Sequence, residues 1–133
     1  MSPRKTSPEI LKAREQELIK TALKIIEQEG TASLTMDKVV ALVPYSKGTI
    51  YNHFSGKEDL LTAVCNCGMQ RLADLFTRAL SFNGNNRQRM LALHYAYLLH
   101  ALLDPTQFML VVSAKTANLM GRTSEDRLRE HRE

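Results

Sequence analysis

Residues 39–61 have the sequence VVALVPYSKGTIYNHFSGKEDLL, and this stretch decides the fold. Pro44 must end any helix that precedes it, because a proline disfavours the helical conformation of the residue before it. Ser46 can cap a second helix, since a serine hydroxyl accepts a hydrogen bond from a free amide of the first turn. Both helices are too short to be stable alone, so they must pack against longer neighbours. We expect them at residues 36–43 and 47–53.

The rest of the chain also reads as helices, which makes all-α the predicted fold class. In the first helix Leu11, Leu18, Ala22 and Ile25 fall on one face, which predicts an amphipathic helix packed on a core. The segment 87–103 is apolar on nearly every side, so we expect it to be buried between neighbouring helices. The longer helices are predicted at residues 9–29, 55–82, 87–103, 104–120 and from 123 onward.

The composition of the chain excludes several classes of protein. Its 133 residues include 18 Lys and Arg against 14 Asp and Glu, and 44% are hydrophobic, enough for a packed core. Two cysteines cannot build a disulfide framework, which fits a reducing, cytoplasmic setting. The charged first 20 residues exclude a signal peptide, and the longest apolar run, residues 90–103, is too short to span a bilayer.

The positive charge of the chain is concentrated in its first part. Of the net +4, residues 1–57 account for +3. The segment from Lys38 to Lys57 holds three lysines and no carboxylate. Such a segment can approach phosphates without local repulsion, although charge alone is equally compatible with an ordinary solvated face.

A helix, a short helix, a turn and a second short helix form the sequence pattern of a helix-turn-helix unit, whose last helix enters the major groove of DNA. Lys47 can reach guanine or a phosphate, while Thr49 and Asn52 can hydrogen-bond to base edges. Gly48 leaves room for close approach of the backbone. Phosphate contacts are expected from Tyr51, His53 and Lys57.

At these residues the chain resembles the tetracycline-repressor-type (TetR) family of bacterial regulators. The matching parts are Ser46–Tyr51, His53-Phe54 and Lys57–Leu61, and the likeness extends over about residues 10–65. The resemblance implies a DNA-binding head, residues 9–62, followed by a helical body, residues 63–133, that binds a small molecule and forms a homodimer. Family members are longer, which implies that the body is truncated here.

The resemblance also implies roles for single residues. Thr35 is implied as a phosphate contact, Tyr45 as part of the groove-facing set, and Phe54 as a core residue behind the recognition helix. Where the family usually has a small residue and then glycine in the turn, this chain has Val43-Pro44, so we expect an intact but slightly altered turn. The predicted DNA-binding set is Thr35, Tyr45, Ser46, Lys47, Gly48, Thr49, Tyr51, Asn52, His53 and Lys57.

The body combines large apolar side chains with a few polar tips, a composition that suits an effector pocket but is equally typical of a plain core. Cys65 and Cys67 point to nearly opposite sides of a helix, and His94 and His100 do not share a face, so no metal site or cofactor is predicted. The candidate ligand-binding residues are His94, Tyr95, Tyr97, Phe108 and Met109, with Met120 sharing their character.

The sequence thus predicts a ligand-responsive transcriptional regulator, most simply a repressor. It would bind a palindromic DNA operator as a homodimer and be released by a small-molecule effector. A helical adaptor that binds another protein without specific DNA binding is the alternative. An enzyme is improbable, because no nucleophile–base pair, glycine-rich phosphate loop or carboxylate pair occurs at a suitable spacing.

Overall fold

The computed structural model describes residues 6–113, and within that range the chain is all-α, as predicted. A short 3₁₀ turn, Thr31–Ser33, separates the first two helices. The helices are α1 (Pro8–Glu29), α2 (Met36–Leu42), α3 (Lys47–His53), α4 (Lys57–Leu80), α5 (Asn86–Leu103) and α6 (Pro105–Ser113). The predicted continuation of α6 to residue 120, Met120 itself and the helix from residue 123 lie outside the described residues.

The chain separates into two compact units, with the boundary between Leu61 and Thr62. This boundary falls inside α4. The first unit holds α1, α2, α3 and the first residues of α4, and the second holds the remainder of α4 with α5 and α6.

The core of the first unit comes from all of its helices. Fully buried side chains, each with 0% exposure, include Leu18, Leu34, Val39, Ile50 and Phe54. Phe54 is therefore the core residue that the sequence predicted. The prediction that Leu11 belongs to the buried face of α1 is wrong. Its side chain is 41% exposed, because it lies too near the start of the helix to reach the core.

Local capping explains where the helices of the first unit begin and end. Thr35 Oγ1 accepts a hydrogen bond from the Lys38 amide at 3.2 Å, which starts α2 as predicted. Gly30 ends α1 with φ 86°, a left-handed conformation that glycine adopts without strain, and its amide donates to Ile26 O at 2.9 Å.

In the second unit α5 begins with a capping box, in which the Asn85 side chain and the Gln88 side chain each bond the other's backbone. Asp104 then caps α6, since its Oδ1 accepts from the Gln107 amide at 3.2 Å. Gly68 of α4 is buried where α6 comes close, because a Cβ there would meet Gln107 Oε1 at 2.5 Å.

Residues 87–103 form the predicted helix, α5. The prediction that this helix is buried is wrong for the described part of the chain. Within α5 only His100 is buried, at 4% exposure, while Tyr95 is 71% exposed and Leu102 79% exposed. The apolar character of this helix reflects a wide uncovered surface, which composition cannot distinguish from a core position.

Candidate nucleic-acid interface

The second short helix is fixed to the first unit by its inner face. Ile50 and Phe54 stand four residues apart, on one side of α3, and both are fully buried. Phe54 also closes the helix, with its amide donating to Ile50 O at 3.0 Å. The outer face of α3 is open to solvent, and it presents Lys47, Gly48, Tyr51 and Asn52.

The turn between α2 and α3 is intact despite its proline. Val43 has φ −124° and ψ 153°, the extended conformation that a following proline favours. Ser46 is extended as well, with φ −66° and ψ 154°. Among the described residues only Gly30 has a positive φ, so this turn is made without the left-handed residue that a glycine would supply. The two helices remain separate, as the sequence predicted.

Tyr45, predicted to face the groove, is held by two residues of α1. Its hydroxyl donates a hydrogen bond to the Glu17 carboxylate, and the Arg14 guanidinium lies over its ring at 5.4 Å from the centroid. The hydrogen bond to Glu17 is the main reason why the pKa of Tyr45 is raised above its ordinary value. These contacts tie the turn to α1 and fix the position of the tyrosine.

Lys47, the first residue of α3, is paired with α2. Its Nζ lies 3.0 Å from Asp37 Oδ1, and both side chains are mostly exposed. The hydrogen bond and the charge of Asp37 together raise the pKa of Lys47. The lysine therefore stays cationic and is held on the outer side of the two short helices.

The predicted hydroxyl contacts have local partners. Ser46 Oγ accepts from the Thr49 amide at 3.2 Å and lies 2.9 Å from Thr49 Oγ1, so both side chains complete the cap of α3. Thr35 caps α2 in the same way. A hydroxyl that caps a helix retains a hydrogen or a lone pair, so these three side chains can still meet a phosphate or a base.

The last two predicted contacts lie toward the end of the helix-turn-helix. Lys57 Nζ donates to Ala32 O at 3.4 Å, from the first residue of α4. His53 has only 7% of its side chain exposed, and its Nδ1 lies 3.6 Å from Glu15 Oε2 of α1. This position ties α3 to α1 and leaves little of the ring for a phosphate, although its role in DNA binding stays a prediction.

Sequence reasoning missed the residues that hold this surface in place. None of Arg14, Glu15, Glu17 and Asp37 was among the predicted site residues, yet each contacts a predicted interface residue. The sequence does show charged residues on α1 and an aromatic residue in the turn. This pattern does not specify which of these side chains contact one another.

Two open cavities of the second unit are lined by described residues. One, of about 420 Å³, is lined by Phe76, Met90, Leu93, His94 and Tyr97. The other, of about 430 Å³, is more polar, and its lining is Arg71, Asp74, Leu75, Arg78, His100, Leu103 and Asp104. Arg71 forms an ion pair with Asp104 there, at 3.3 Å.

The candidate ligand-binding residues are only partly brought together. His94 and Tyr97 line the apolar cavity, and Phe108 stands behind Tyr97 with the two ring centroids 5.2 Å apart. Tyr95 and Met109 line neither cavity and are 71% and 59% exposed. Their helical spacing therefore did not predict a shared site.

Cys65 and Cys67 form no disulfide. Cys65 is buried, with Sγ 3.9 Å from Leu110 O, and burial raises its thiol pKa to about 11, which keeps the thiol protonated and unreactive. No group of three or more His, Cys, Asp and Glu residues within residues 6–113 is arranged to hold a metal ion. In the same range, no helix is long and apolar enough to cross a membrane.

Comparison with known proteins agrees with the geometry of the first unit. Residues 18–64 match the family model described as bacterial regulatory proteins of the tetR family, and these residues include α2, α3 and the turn. This region of the chain is therefore similar to the tetR family of bacterial regulatory proteins. The matched residues cover most of the predicted head and include all of the predicted DNA-binding residues, from Thr35 to Lys57.

Relatives of known sequence are also regulators with a helix-turn-helix. An uncharacterized HTH-type transcriptional regulator of Mycobacterium tuberculosis (strain ATCC 25618 / H37Rv) is 32% identical over 73 residues, which are 55% of this chain and 36% of that protein. The HTH-type transcriptional regulator SrpR of Pseudomonas putida is 34% identical over 61 residues, 46% of this chain and 28% of that protein. The chain thus matches about a third of the length of these relatives.

Solved structures share the fold of the chain. A transcriptional regulator of the TetR/AcrR family from Thermobifida fusca superposes with a TM-score of 0.69 at 23% identity, covering 90% of this chain and 61% of that one. A protein of unknown function from Rhodococcus sp. RHA1 gives a TM-score of 0.72 at 22% identity, covering 98% of this chain and 63% of that one. At this level of identity the likeness concerns the fold alone.

Proposed function

We infer that this protein is a transcriptional regulator that binds double-stranded DNA through α3. The observation that carries the inference is the contrast between the two faces of this helix. Ile50 and Phe54 anchor the inner face in the core, while Lys47, Tyr51 and Asn52 project from the outer face. A rigidly held helix with a lysine, an amide and a phenol on its free side suits the major groove.

The residues around α3 supply the sequence-independent part of the binding. Thr35 and Lys57 lie at the starts of α2 and α4, where free amides and the helix dipole favour an anion. Tyr51 reaches a phosphate from the side of α3 and Ser46 does so from its capped end, while Thr49 is proposed to contact base edges. The other predicted DNA-binding residues belong to the same surface or support it. They are Tyr45, Gly48, Asn52 and His53.

The full protein is proposed to act as a homodimeric, cytoplasmic repressor at a palindromic operator. Two copies of α3 would enter successive major grooves, with about 34 Å between them. The match to HTH-type transcriptional regulators supports a role in the regulation of transcription. Dimerisation, repression and the palindromic operator are parts of the proposal.

Release from DNA is proposed to follow the binding of a small molecule in the second unit. The cavity that contains His94 and Tyr97 is the proposed effector site. Since α4 supplies residues to both units, a shift of this helix would alter the position of the DNA-binding surface. An effector that favours the shifted state would then release the operator.

Footprinting across the promoter of the protein's own gene tests the proposal. We expect a protected, palindromic segment, and binding to it that is tighter than to random duplex DNA at moderate salt. A steep fall of affinity with salt is expected as well, because phosphate contacts release counterions. Equal affinity for all sequences with no salt dependence would instead favour a helical adaptor.

A further inference from the structure

The cavity of about 420 Å³ in the second unit is built almost entirely from apolar and aromatic side chains. Phe76 of α4 faces Tyr97 of α5, with ring centroids 6.4 Å apart and planes inclined by 28°. Met90 and Leu93 complete the lining with His94. This volume is in the range of small-molecule sites, and the aromatic lining suits an apolar, aromatic guest.

His94 gives this cavity a directional polar group in addition to the Tyr97 hydroxyl. Its Nδ1 lies 2.7 Å from the carbonyl oxygen of Met90, one turn earlier in α5. A carbonyl oxygen can only accept, so Nδ1 carries the hydrogen and donates. In the neutral ring Nε2 is therefore an acceptor, and it lies on the edge of the ring that faces away from the backbone of α5.

We propose that this cavity binds a neutral aromatic molecule that carries a hydrogen-bond donor, such as a phenol, with its hydroxyl donating to His94 Nε2. The inference rests on the small-molecule response of the proposed function and names the class of effector. A carboxylate is disfavoured, because it would bring its lone pairs against the lone pair of Nε2. A charged guest would also find no charged side chain among the described lining residues to replace its hydration.

The second cavity provides an internal contrast. Arg71, Asp74, Arg78 and Asp104 line it, so it suits charged or zwitterionic molecules rather than a neutral phenol. Because the two cavities are lined by different residues, substitutions in each of them can show which one binds the phenol.

The test is calorimetric titration of the full 133-residue chain, without DNA, with 4-propylphenol and with 4-propylanisole. The two probes have the same aromatic body, and the second lacks the hydroxyl hydrogen. We expect the phenol to bind and the anisole to bind roughly three- to tenfold more weakly, the range expected for one uncharged hydrogen bond. Equal affinities, or binding of neither probe, would overturn the proposal.

Variants test whether the difference in affinity between the two probes depends on the His94 side chain. In His94→Leu both probes should bind with similar affinity, because the acceptor is gone while the apolar surface remains. Tyr95→Phe, on an exposed neighbour outside the cavity, and Arg78→Gln, in the second cavity, should keep the native preference for the phenol. A preference that survives His94→Leu, or disappears in Arg78→Gln, would place the phenol elsewhere.

Footprinting of the same preparation separates this inference from the proposed function. Operator protection without binding of either probe would contradict the ligand class and leave DNA binding intact. A phenol preference that depends on His94, in a protein that protects no DNA, would support the site and contradict the regulator.

Discussion

Lys47 Nζ lies 3.0 Å from Asp37 Oδ1, so the cation at the start of α3 is neutralised by a carboxylate of α2. Both groups lie on the surface proposed to meet DNA. A phosphate that approaches Lys47 must compete with this carboxylate and is repelled by it. The pair therefore limits the affinity of the protein for DNA of any sequence.

Substitution Asp37→Asn is expected to strengthen binding to random duplex DNA by up to roughly fivefold at low salt, because it frees Lys47 and removes a local negative charge. Fluorescence anisotropy with a labelled random duplex measures the change. Glu27→Gln is the control, since it removes an equal charge from an exposed site on α1. An equal gain in the control would show that only net charge matters.

Asn52→Ala and Tyr51→Phe should separate base reading from phosphate binding. We expect Asn52→Ala to lose about 1–3 kcal/mol of operator binding while random DNA is bound as before. Tyr51→Phe should weaken operator and random DNA alike, because a phosphate contact carries no sequence information. Competition gel shifts with single-base operator variants provide the measurement. A changed base preference in Tyr51→Phe would reverse the assigned roles.

Gly48→Ala should separate folding from DNA binding. An added Cβ would have no heavy atom within 4 Å, so the protein should retain its stability or gain up to ~1 kcal/mol from better helix propensity. DNA binding should fall, because the methyl group would stand between the helix backbone and the groove. Urea unfolding and anisotropy report the two effects. Unchanged DNA affinity would mean that the backbone of α3 does not approach the DNA closely.

Phe54→Ala is expected to destabilise the first unit by about 3–5 kcal/mol, because it empties a fully buried site beneath α3. Phe82→Ala removes the same side chain from a position that is 51% exposed, and its effect should stay within about 0.5 kcal/mol. Urea unfolding followed by circular dichroism measures both. Similar losses in the two variants would contradict the assignment of Phe54 to the core.

Tyr45 should titrate above the ordinary range for tyrosine, because its hydroxyl is bonded to Glu17. A pKa raised by folding contributes stability that is fully present below about pH 10 and is lost as the pH rises through the folded value. Ultraviolet absorbance of tyrosinate, compared with Tyr45→Phe, isolates this group among four tyrosines. Glu17→Gln should lower the pKa of Tyr45, and an unchanged titration would show that the bond does not persist in solution.

The helices were predictable because their signals are local. Thr35 and Ser46 cap the amides three residues ahead, and Pro44 acts on the residue before it, so short stretches of sequence specify α2 and α3. The pairing of Tyr45 with Glu17 spans 28 residues and depends on how α1 packs. No periodicity specifies such a contact.

The second unit was harder to predict, because exposure depends on neighbours and not on composition. Leucines in α5 read as buried, but Leu98 and Leu102 are 56% and 79% exposed. Of the five candidate ligand-binding residues only His94 and Tyr97 line one cavity, and Phe76 of α4, which was not predicted, closes it.

The extended turn at Val43-Pro44 also has a consequence for the unfolded chain. A glycine in a turn gives the unfolded chain many conformations to lose on folding, whereas the proline ring fixes φ before folding begins. Where the native angles suit it, such a residue contributes about 0.4–1 kcal/mol by restricting the unfolded ensemble. The link between α2 and α3 is thus partly ordered in advance by its covalent structure.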